Sequence, residues 1–165
     1  MPNTINIEPN GVFTAGFQIP VRHEAQQLAN DCWATCLSMI FTWKGVSISR
    51  QEILTKAVSI IPGGYQYGQQ ATLAETNYLA KKLTGGAVSF SRLENTSSFR
   101  FDDWAQHFNK YKPVLTSMNN HCRILMGYNG VGQIAVLDPS PRYKGPIVAG
   151  IGYLQKELRD AWVLN

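Results

Sequence analysis

The pattern of hydrophobic positions changes character near residue 112. Before it, apolar residues recur at spacings of three and four, which is typical of helices with one buried face. The predicted helices cover about residues 31–44, 49–58, 72–83 and 102–111. After it, short apolar runs are separated by Asn, Gly and Pro, which favours strands joined by turns. The predicted strands cover residues 113–118, 121–128, 133–137, 146–151 and 161–164, with a helix at 153–160.

Local signals support the helix boundaries. Ser49 and Glu52 form a capping box at the start of the second helix, where a hydroxyl and a carboxylate satisfy free backbone N–H groups. Asn30 or Asp31 can cap the first helix, and Gly45 suits its C-terminal end.

The segment before the first helix, residues 1–25, is predicted to be an extended lead-in. Apolar residues alternate with others there, so we expect part of it to pair as a strand. The alternating apolar residues are Phe13, Phe17, Ile19 and Val21. A further short strand is expected at residues 87–90, between the third and fourth helices.

Helices that come first and antiparallel strands that come second predict an α+β fold. A chain of 165 residues is long enough to bury a core of its own, so we expect a single domain over residues 1–165. The helical half should cover about residues 26–111 and the strand half about 112–165. The facing sides of the two halves are expected to form the walls of a cleft.

Composition and charge argue against several function classes. The net charge of +4 comes from scattered residues, so we expect no nucleic-acid partner. No apolar run approaches the ~20 residues that span a bilayer, and residues 1–11 lack the apolar core of a signal peptide. We therefore expect no membrane insertion. Three cysteines are an odd number, which argues against a complete disulfide framework and fits a reducing compartment.

Cys32 is the residue best placed to act as a nucleophile. It lies at the predicted start of the first helix, where free backbone N–H groups and partial positive charge stabilise a thiolate. Cys36 lies one turn further inside the helix and Cys122 lies within a predicted strand, so neither has this advantage. The alternative for Cys32 is a buried structural thiol. The cysteine spacing does not match structural zinc patterns, and we expect neither a metal nor an organic cofactor.

A thiol nucleophile needs a base, and the histidines are His23, His107 and His121. His107 lies in a polar helix and should be solvated, whereas His121 opens a predicted strand and can project towards a cleft. An imidazole also needs an acceptor that orients it. Asp138 ends the next predicted strand, and a hairpin at residues 127–132 would bring it back to His121. The alternatives are a core histidine and a turn-forming aspartate.

Acyl transfer also needs hydrogen-bond donors for the oxyanion that develops on the carbonyl. The backbone N–H of Cys32 is one candidate. The side-chain amide of Gln26, six residues earlier, is a second candidate, and Gln27 is its rival.

These residues resemble the papain-like cysteine proteases, and more closely their small bacterial branch of bacteriocin leader peptidases and plant-pathogen protease effectors. The shared features are Gln26, residues 31–36 with the apolar helix behind them, Lys112-Pro113-Val114, His121, Gly127-Tyr128-Asn129-Gly130, and residues 134–139. The resemblance implies a papain-like fold. It also implies that Cys32 is the nucleophile, His121 the base, Asp138 the residue that orients His121, and Gln26 the oxyanion-hole donor.

The function implied by this resemblance is that of a thiol endopeptidase that cuts protein substrates. Two alternatives stay open. The same triad can serve glutamine deamidation, transglutamination or cell-wall amide hydrolysis, or the fold can be a non-enzymatic binding module. A Cys32→Ala variant would leave the activity of a binding module intact.

The biological role suggested by the resemblance is that of a delivered effector or toxin domain. We expect secretion by a route that needs no signal peptide, and action on selected proteins in the cytoplasm of a target cell, either a host cell or a competing bacterium. A cognate immunity or inhibitor protein would then be a partner. This role is argued by analogy.

Overall fold

The structure is a computed structural model that describes residues 5–7 and 16–165. Its helices are α1 (Cys32–Trp43), α2 (Arg50–Ile60), α3 (Leu73–Thr84), α4 (Phe101–Asn109) and α5 (Ile151–Glu157). Its strands are β1 (Ile5–Ile7), β2 (Phe17–Gln18), β3 (Phe90–Arg92), β4 (Val114–Met118), β5 (His121–Tyr128), β6 (Ile134–Leu137), β7 (Ile147–Ala149) and β8 (Leu158–Leu164). Most of the helices precede most of the sheet, which confirms the predicted α+β fold.

The strands form one antiparallel sheet around β5. The order of its strands is β1-β7-β6-β5-β4-β8-β3, and β2 pairs with β5 beside this path. β5 pairs with β4 on one side and with β6 on the other. Ile124 of β5 lies opposite Leu137 of β6, so the chain leaving β6 runs alongside the first residues of β5.

Helix α1 lies at the centre of the core. Residues 32–41 are all buried, so this stretch of the helix has no solvent-facing side. It packs against β5 on one side and against α2 and α3 on the other. Trp33, Leu37, Ile40 and Phe41 are fully buried. Burying a side chain of this size stabilises a fold by about 1.5–3 kcal/mol, so the contacts of α1 hold it firmly in place.

Capping boxes begin α2 and α3. In the predicted box at α2, the Glu52 N–H donates to Ser49 Oγ at 3.2 Å, and the Ser49 N–H donates to the Glu52 carboxylate at 2.8 Å. Thr72 and Glu75 make the same pair of bonds at α3. No helix within residues 16–165 has both the length and the apolar character needed to cross a membrane.

The boundaries of two predicted elements are wrong. The helix predicted at 153–160 ends at Glu157, and β8 begins at Leu158, because Leu158 already pairs with Met118 of β4. The short strand predicted at 87–90 lies instead at 90–92, where it pairs with the C-terminal end of β8. In both places hydrogen bonding across the sheet overrides the local pattern.

The lead-in contributes two strands to the sheet. Phe17-Gln18 pairs with β5, which confirms a strand in this segment, and β1 pairs with β7 at the edge of the sheet. Phe13, another of the alternating apolar positions, lies outside the described residues. The pairing of β2 brings two backbones very close together, since a Cβ atom on Gly127 would collide with the backbone oxygen of Phe17.

We expect Gly127→Ala to destabilise the protein by about 1–3 kcal/mol, because the added methyl group must push β2 away from β5. Urea unfolding followed by circular dichroism measures this change. Gly152→Ala is the matched control, since a Cβ atom there meets nothing within 4 Å and alanine favours the α5 conformation. Equal stability of the two variants would contradict the assigned role of the β2 contact.

Candidate active site

The thiol of Cys32 lies at the junction between α1 and the sheet. Cys32 is the first residue of α1, so its backbone N–H has no acceptor within the helix. Its side chain is fully buried, and the Cys122 N–H donates to its Sγ atom at 3.4 Å. Cys36, one turn further on, bonds through its Sγ to the Cys122 carbonyl at 3.4 Å. Burial raises the pKa of Cys36 well above its ordinary value, which keeps that thiol protonated.

Asp31 occupies the capping position before α1 but does not cap the helix with its side chain. Its buried carboxylate instead accepts from Arg50 Nη1 at 2.6 Å, and the Gln27 N–H lies 3.4 Å from the same oxygen. Asp31 thus stands at the predicted capping position, but the prediction that its side chain caps the helix is wrong. This ion pair ties the loop before Cys32 to the start of α2.

His121 and Asp138 meet as the hairpin prediction requires. His121 is the first residue of β5, and Asp138 is the first residue after β6. The Nε2 atom of His121 lies 2.7 Å from Asp138 Oδ1. Asn119 and Asn120 both have positive φ angles in the turn that precedes β5, which fits the known tolerance of Asn for this conformation.

His121 bonds to Asp138 directly and adjoins the thiol of Cys32, which accepts from the N–H of the next residue, Cys122. Burial disfavours its charged form, but the hydrogen bonds to Asp138 and to Cys32 outweigh burial and raise the pKa of His121 to about 9. Burial likewise opposes the Asp138 carboxylate, but the bond to His121 and further bonds lower the pKa of Asp138 to about 2. At neutral pH this pairing favours an imidazolium beside a carboxylate.

Two further groups bind the Asp138 carboxylate. The Ser140 N–H donates to Oδ1 at 2.8 Å, and Arg123 Nε donates to Oδ2 at 2.7 Å. The backbone carbonyl of Asp138 lies 2.7 Å from Nε2 of His23. Asp138 is almost completely buried, so these contacts replace the water that its charge would otherwise bind.

The amide of Gln26 lies in the loop before α1. Its Nε2 atom donates to the Leu28 carbonyl at 2.9 Å and to the Ala29 carbonyl at 3.3 Å. Its backbone N–H donates to the Pro139 carbonyl at 2.7 Å, so Gln26 is attached to the chain segment directly after Asp138.

Gln70 spans the cleft above the thiol. Its Oε1 atom lies 3.7 Å from Cys32 Sγ, and its Nε2 atom donates to Asn30 on one wall and to the Asn120 carbonyl on the other. The preceding carbonyl, that of Gln69, accepts from the indole of Trp33 at 3.3 Å, which holds this loop next to α1. A cavity of about 460 Å³ opens beside it. The cavity is lined by Asn30, Gln70, Ala71, Thr72, Leu73, Ser117, Asn120, Cys122 and Asp160.

The structure thus brings Cys32, His121 and Asp138 together, and it joins the backbone of Gln26 to Pro139, the residue after Asp138. His107 is on α4, away from these contacts, and is half-buried. Within residues 16–165 no group of three or more His, Cys, Asp and Glu side chains could hold a metal ion. Sequence reasoning did not find the contacts of Gln70 and Arg123. For Arg123 a signal existed, because it is two residues from His121 and so shares its face of β5.

The charges of His121 and Asp138 predict how stability depends on pH. The depressed pKa of Asp138 stabilises the fold above its ordinary value of 3.8, and this stabilisation is lost as the pH falls towards 2. The raised pKa of His121 stabilises the fold below 6.5, and this is lost as the pH rises towards 9. Asp138→Asn should therefore lower stability most between about pH 4 and 6.5.

Urea unfolding at a series of pH values measures this difference between wild type and variant. Asp102→Asn, which changes an exposed carboxylate on α4, is the matched control and should show no such window. If Asp138→Asn lowers the free energy of unfolding by the same amount from pH 4 to pH 9, the charges assigned to His121 and Asp138 are wrong.

Solved structures with the same fold include several peptidases. A double-glycine-motif protease from an AMS/PCAT transporter, solved with a leader peptide, is 16% identical, with a TM-score of 0.58 over 88% of this chain and 91% of that one. The peptidase domain of Streptococcus ComA is also 16% identical, with a TM-score of 0.61 over 87% and 97% of the two chains. A putative C39-like peptidase from Bacillus anthracis is 15% identical, with a TM-score of 0.58 over 89% and 95%.

Comparison with protein families gives the closer classification. No curated protein matches the chain at a significant level. Residues 14–149 match the family described as papain-like cysteine protease AvrRpt2. This segment contains the thiol, the imidazole and the carboxylate described above. Because the match covers most of its length, the chain belongs to the family of the papain-like cysteine protease AvrRpt2, and it is a cysteine protease.

Proposed function

We propose that this chain is an endopeptidase that uses Cys32, His121 and Asp138 as a catalytic triad. The observation that carries the proposal is the position of His121, which bonds to the carboxylate of Asp138 and precedes Cys122, whose N–H donates to the thiol of Cys32. The Nε2 atom of His121 is bonded to Asp138, so in this proposal its Nδ1 atom serves the thiol. This is the arrangement that activates a nucleophile through an oriented base.

In the proposed reaction His121 takes the proton of Cys32, and the thiolate attacks the carbonyl carbon of a peptide bond. The tetrahedral intermediate collapses as the imidazolium gives its proton to the leaving amine, and a thioester remains on Cys32. A water molecule, deprotonated by His121, then hydrolyses the thioester and restores the thiol. Asp138 holds the imidazole orientation and stabilises its positive charge in both halves of the cycle.

The oxyanion of each intermediate would be held by the Cys32 backbone N–H and the amide of Gln26. The N–H of Cys32 is free because it belongs to the first residue of α1. One N–H of Gln26 would turn from the Ala29 carbonyl, which is the longer of its two contacts at 3.3 Å, towards the oxyanion. A preorganised donor of this kind stabilises charge as it develops.

The substrate in this proposal is a protein chain laid across the cleft. The transporter protease of similar fold was solved with a leader peptide, which supports a peptide ligand for this fold. The cavity beside Gln70 has a volume suited to a side chain of the substrate. The bond between Gln70 and the thiol must open before a peptide carbonyl can reach Cys32.

A second candidate function uses the same triad on a glutamine side chain. The favouring observation is that the primary carboxamide of Gln70 lies beside the thiol, with Oε1 at 3.7 Å from Sγ. A substrate glutamine in that place would form the same thioester and release ammonia. Water would then complete a deamidation, and a lysine amine would complete a transglutamination. Cell-wall amide hydrolysis is a further use of this chemistry.

The biological role in this proposal is that of an effector or toxin domain that is delivered to a target cell and active in its cytoplasm. The support is the membership of the AvrRpt2 family together with analogy. A producing cell that itself contains the target proteins must be protected from such a protease. A cognate immunity or inhibitor protein that closes the cleft is therefore part of the proposal.

We expect Cys32→Ala to abolish proteolysis, with a loss of more than about a thousandfold, since alanine provides no nucleophile. New protein N-termini in a bacterial lysate, mapped by mass spectrometry with wild type and with the variant, measure it. A small set of cuts present only with wild type is the expected result. Ammonia release or isopeptide cross-links without new N-termini would replace the protease proposal by the second candidate.

We expect Gln26→Ala to lower kcat by about a hundredfold to a thousandfold with a smaller effect on KM, because an oxyanion-hole donor acts mainly in the transition state. Gln27→Ala is the matched control, since its side chain is exposed on the adjacent residue. Steady-state kinetics on a peptide copied from an identified cut site give both values. Equal kcat for the two variants would remove Gln26 from the oxyanion hole.

A further inference from the structure

The Asp138 carboxylate is held on both of its oxygens. Oδ1 accepts from His121 and from the Ser140 N–H, and Oδ2 accepts from Arg123 Nε at 2.7 Å. The side chain of Asp138 is only 3% exposed and that of Arg123 is 15% exposed, so little water screens the pair. Hydrogen bonds between such charged groups are stronger than neutral ones.

The register of the sheet produces this contact. Ile124 lies opposite Leu137, so the next pair of positions outward is Arg123 and Asp138. His121, two residues before Arg123, lies on the same face of β5. The Arg123 carbonyl also accepts from Thr116 Oγ1 of β4 at 3.0 Å, which fixes the backbone from which the guanidinium extends.

We infer that Arg123 is a positioning residue of this active site, which fixes the second oxygen of Asp138 so that the first stays on His121. This inference rests on the proposed triad. A carboxylate bound at one oxygen can rotate about its Cβ–Cγ bond, and the Arg123 bond removes that freedom. Misplacing a catalytic group by about 1 Å can cost a hundredfold in rate.

The reaction also requires Asp138 to stay ionised while His121 changes its charge, and a permanent positive charge beside Asp138 meets this requirement. In the cycle His121 alternates between imidazolium and neutral imidazole. Without Arg123, the buried carboxylate of Asp138 would lack a positive neighbour whenever His121 is neutral. It would then tend to take up a proton itself. The guanidinium does not lose its charge, so Arg123 keeps Asp138 ionised through every step.

The same positive charge restrains the basicity of His121. Arg123 opposes the imidazolium, and this acts against the contacts that raise the pKa of His121 to about 9. The titratable groups near His121 and Asp138 include Cys32, Cys36, Cys122 and His23. They remain present in every Arg123 variant, so differences between variants report the contribution of the guanidinium.

A contribution to stability alone does not account for this arrangement. The Nη1 atom of Arg123 is buried and has no hydrogen-bond acceptor within the described residues. An unpaired buried donor is costly, and replacing a buried ion pair by apolar groups is often neutral or stabilising. Its contact with Asp138, the carboxylate that orients His121, gives the guanidinium a role in the active site.

Three substitutions separate the charge of Arg123 from its hydrogen bond. Arg123→Gln places an amide Nε2 where the arginine Nε lies, so the bond to Oδ2 can persist without the charge. Arg123→Lys keeps the charge but not the planar donor, and Arg123→Met removes both. Arg159→Gln is the control, because Arg159 is exposed and bonds only to the Lys156 carbonyl among the contacts the structure gives.

The first measurement is an NMR titration of the His121 imidazole, assigned with His121→Gln. Arg123→Gln should raise the pKa of His121, by roughly one unit for a charge at close range, and Arg123→Lys should leave it near the wild-type value. The second is the rate at which iodoacetamide alkylates Cys32 at pH 7, read from the Cys32 peptide by mass spectrometry. Arg123→Met should slow it about 10- to 100-fold, and Arg159→Gln should change neither quantity.

Unfolding in urea first establishes that each variant is folded. If Arg123→Met is not folded, Arg123→Lys carries the test of positioning, because it lacks the planar donor and should also slow the alkylation of Cys32. An unchanged His121 titration in Arg123→Gln, together with unchanged Cys32 alkylation in the folded variants, would overturn the inference. Failure of the proposed triad looks different. In that case His121→Gln itself would leave Cys32 alkylation unchanged, whatever the Arg123 variants do.

Discussion

The burial of α1 between the sheet and the other helices is the constraint on which the active site depends. Residues 32–41 have no solvent-facing side, so the helix cannot rotate or slide without breaking the core. Its first residue, Cys32, is thereby held against Cys122 of β5, whose N–H donates to the thiol. The same packing that stabilises the fold thus holds the proposed nucleophile in place.

The second determinant is a buried carboxylate that needs several donors. Asp138 is removed from water and is bound by an imidazole, a guanidinium and a backbone N–H. The imidazole and the guanidinium reach it because β5 and β6 pair in one register, whereas the Ser140 N–H is only two residues away in the chain. A shift of one residue would turn His121 and Arg123 to the opposite face of the sheet. The charge pattern of the site is therefore a property of the strand pairing.

The sequence predicted the positions of three residues relative to the ends of helices and strands. Cys32 at a helix start, His121 at a strand start and Asp138 at a strand end lie next to boundaries that apolar periodicity and turn residues reveal. It failed at the junction of α5 and β8, where pairing with β4 decides the conformation. It also missed Gln70, which is 38 residues from Cys32 and meets it only after the cleft is built.

By itself the sequence determined the order of helices and strands, the apolar helix behind Cys32 and the set of groups available for thiol chemistry. Those features depend on residue type and short-range spacing. Only the tertiary structure decided that Asp31 pairs with Arg50 in place of capping α1, that Arg123 takes the second oxygen of Asp138, and that Gln70 lies over the thiol. Such contacts follow from strand register and from the packing of the two halves, which no local pattern encodes.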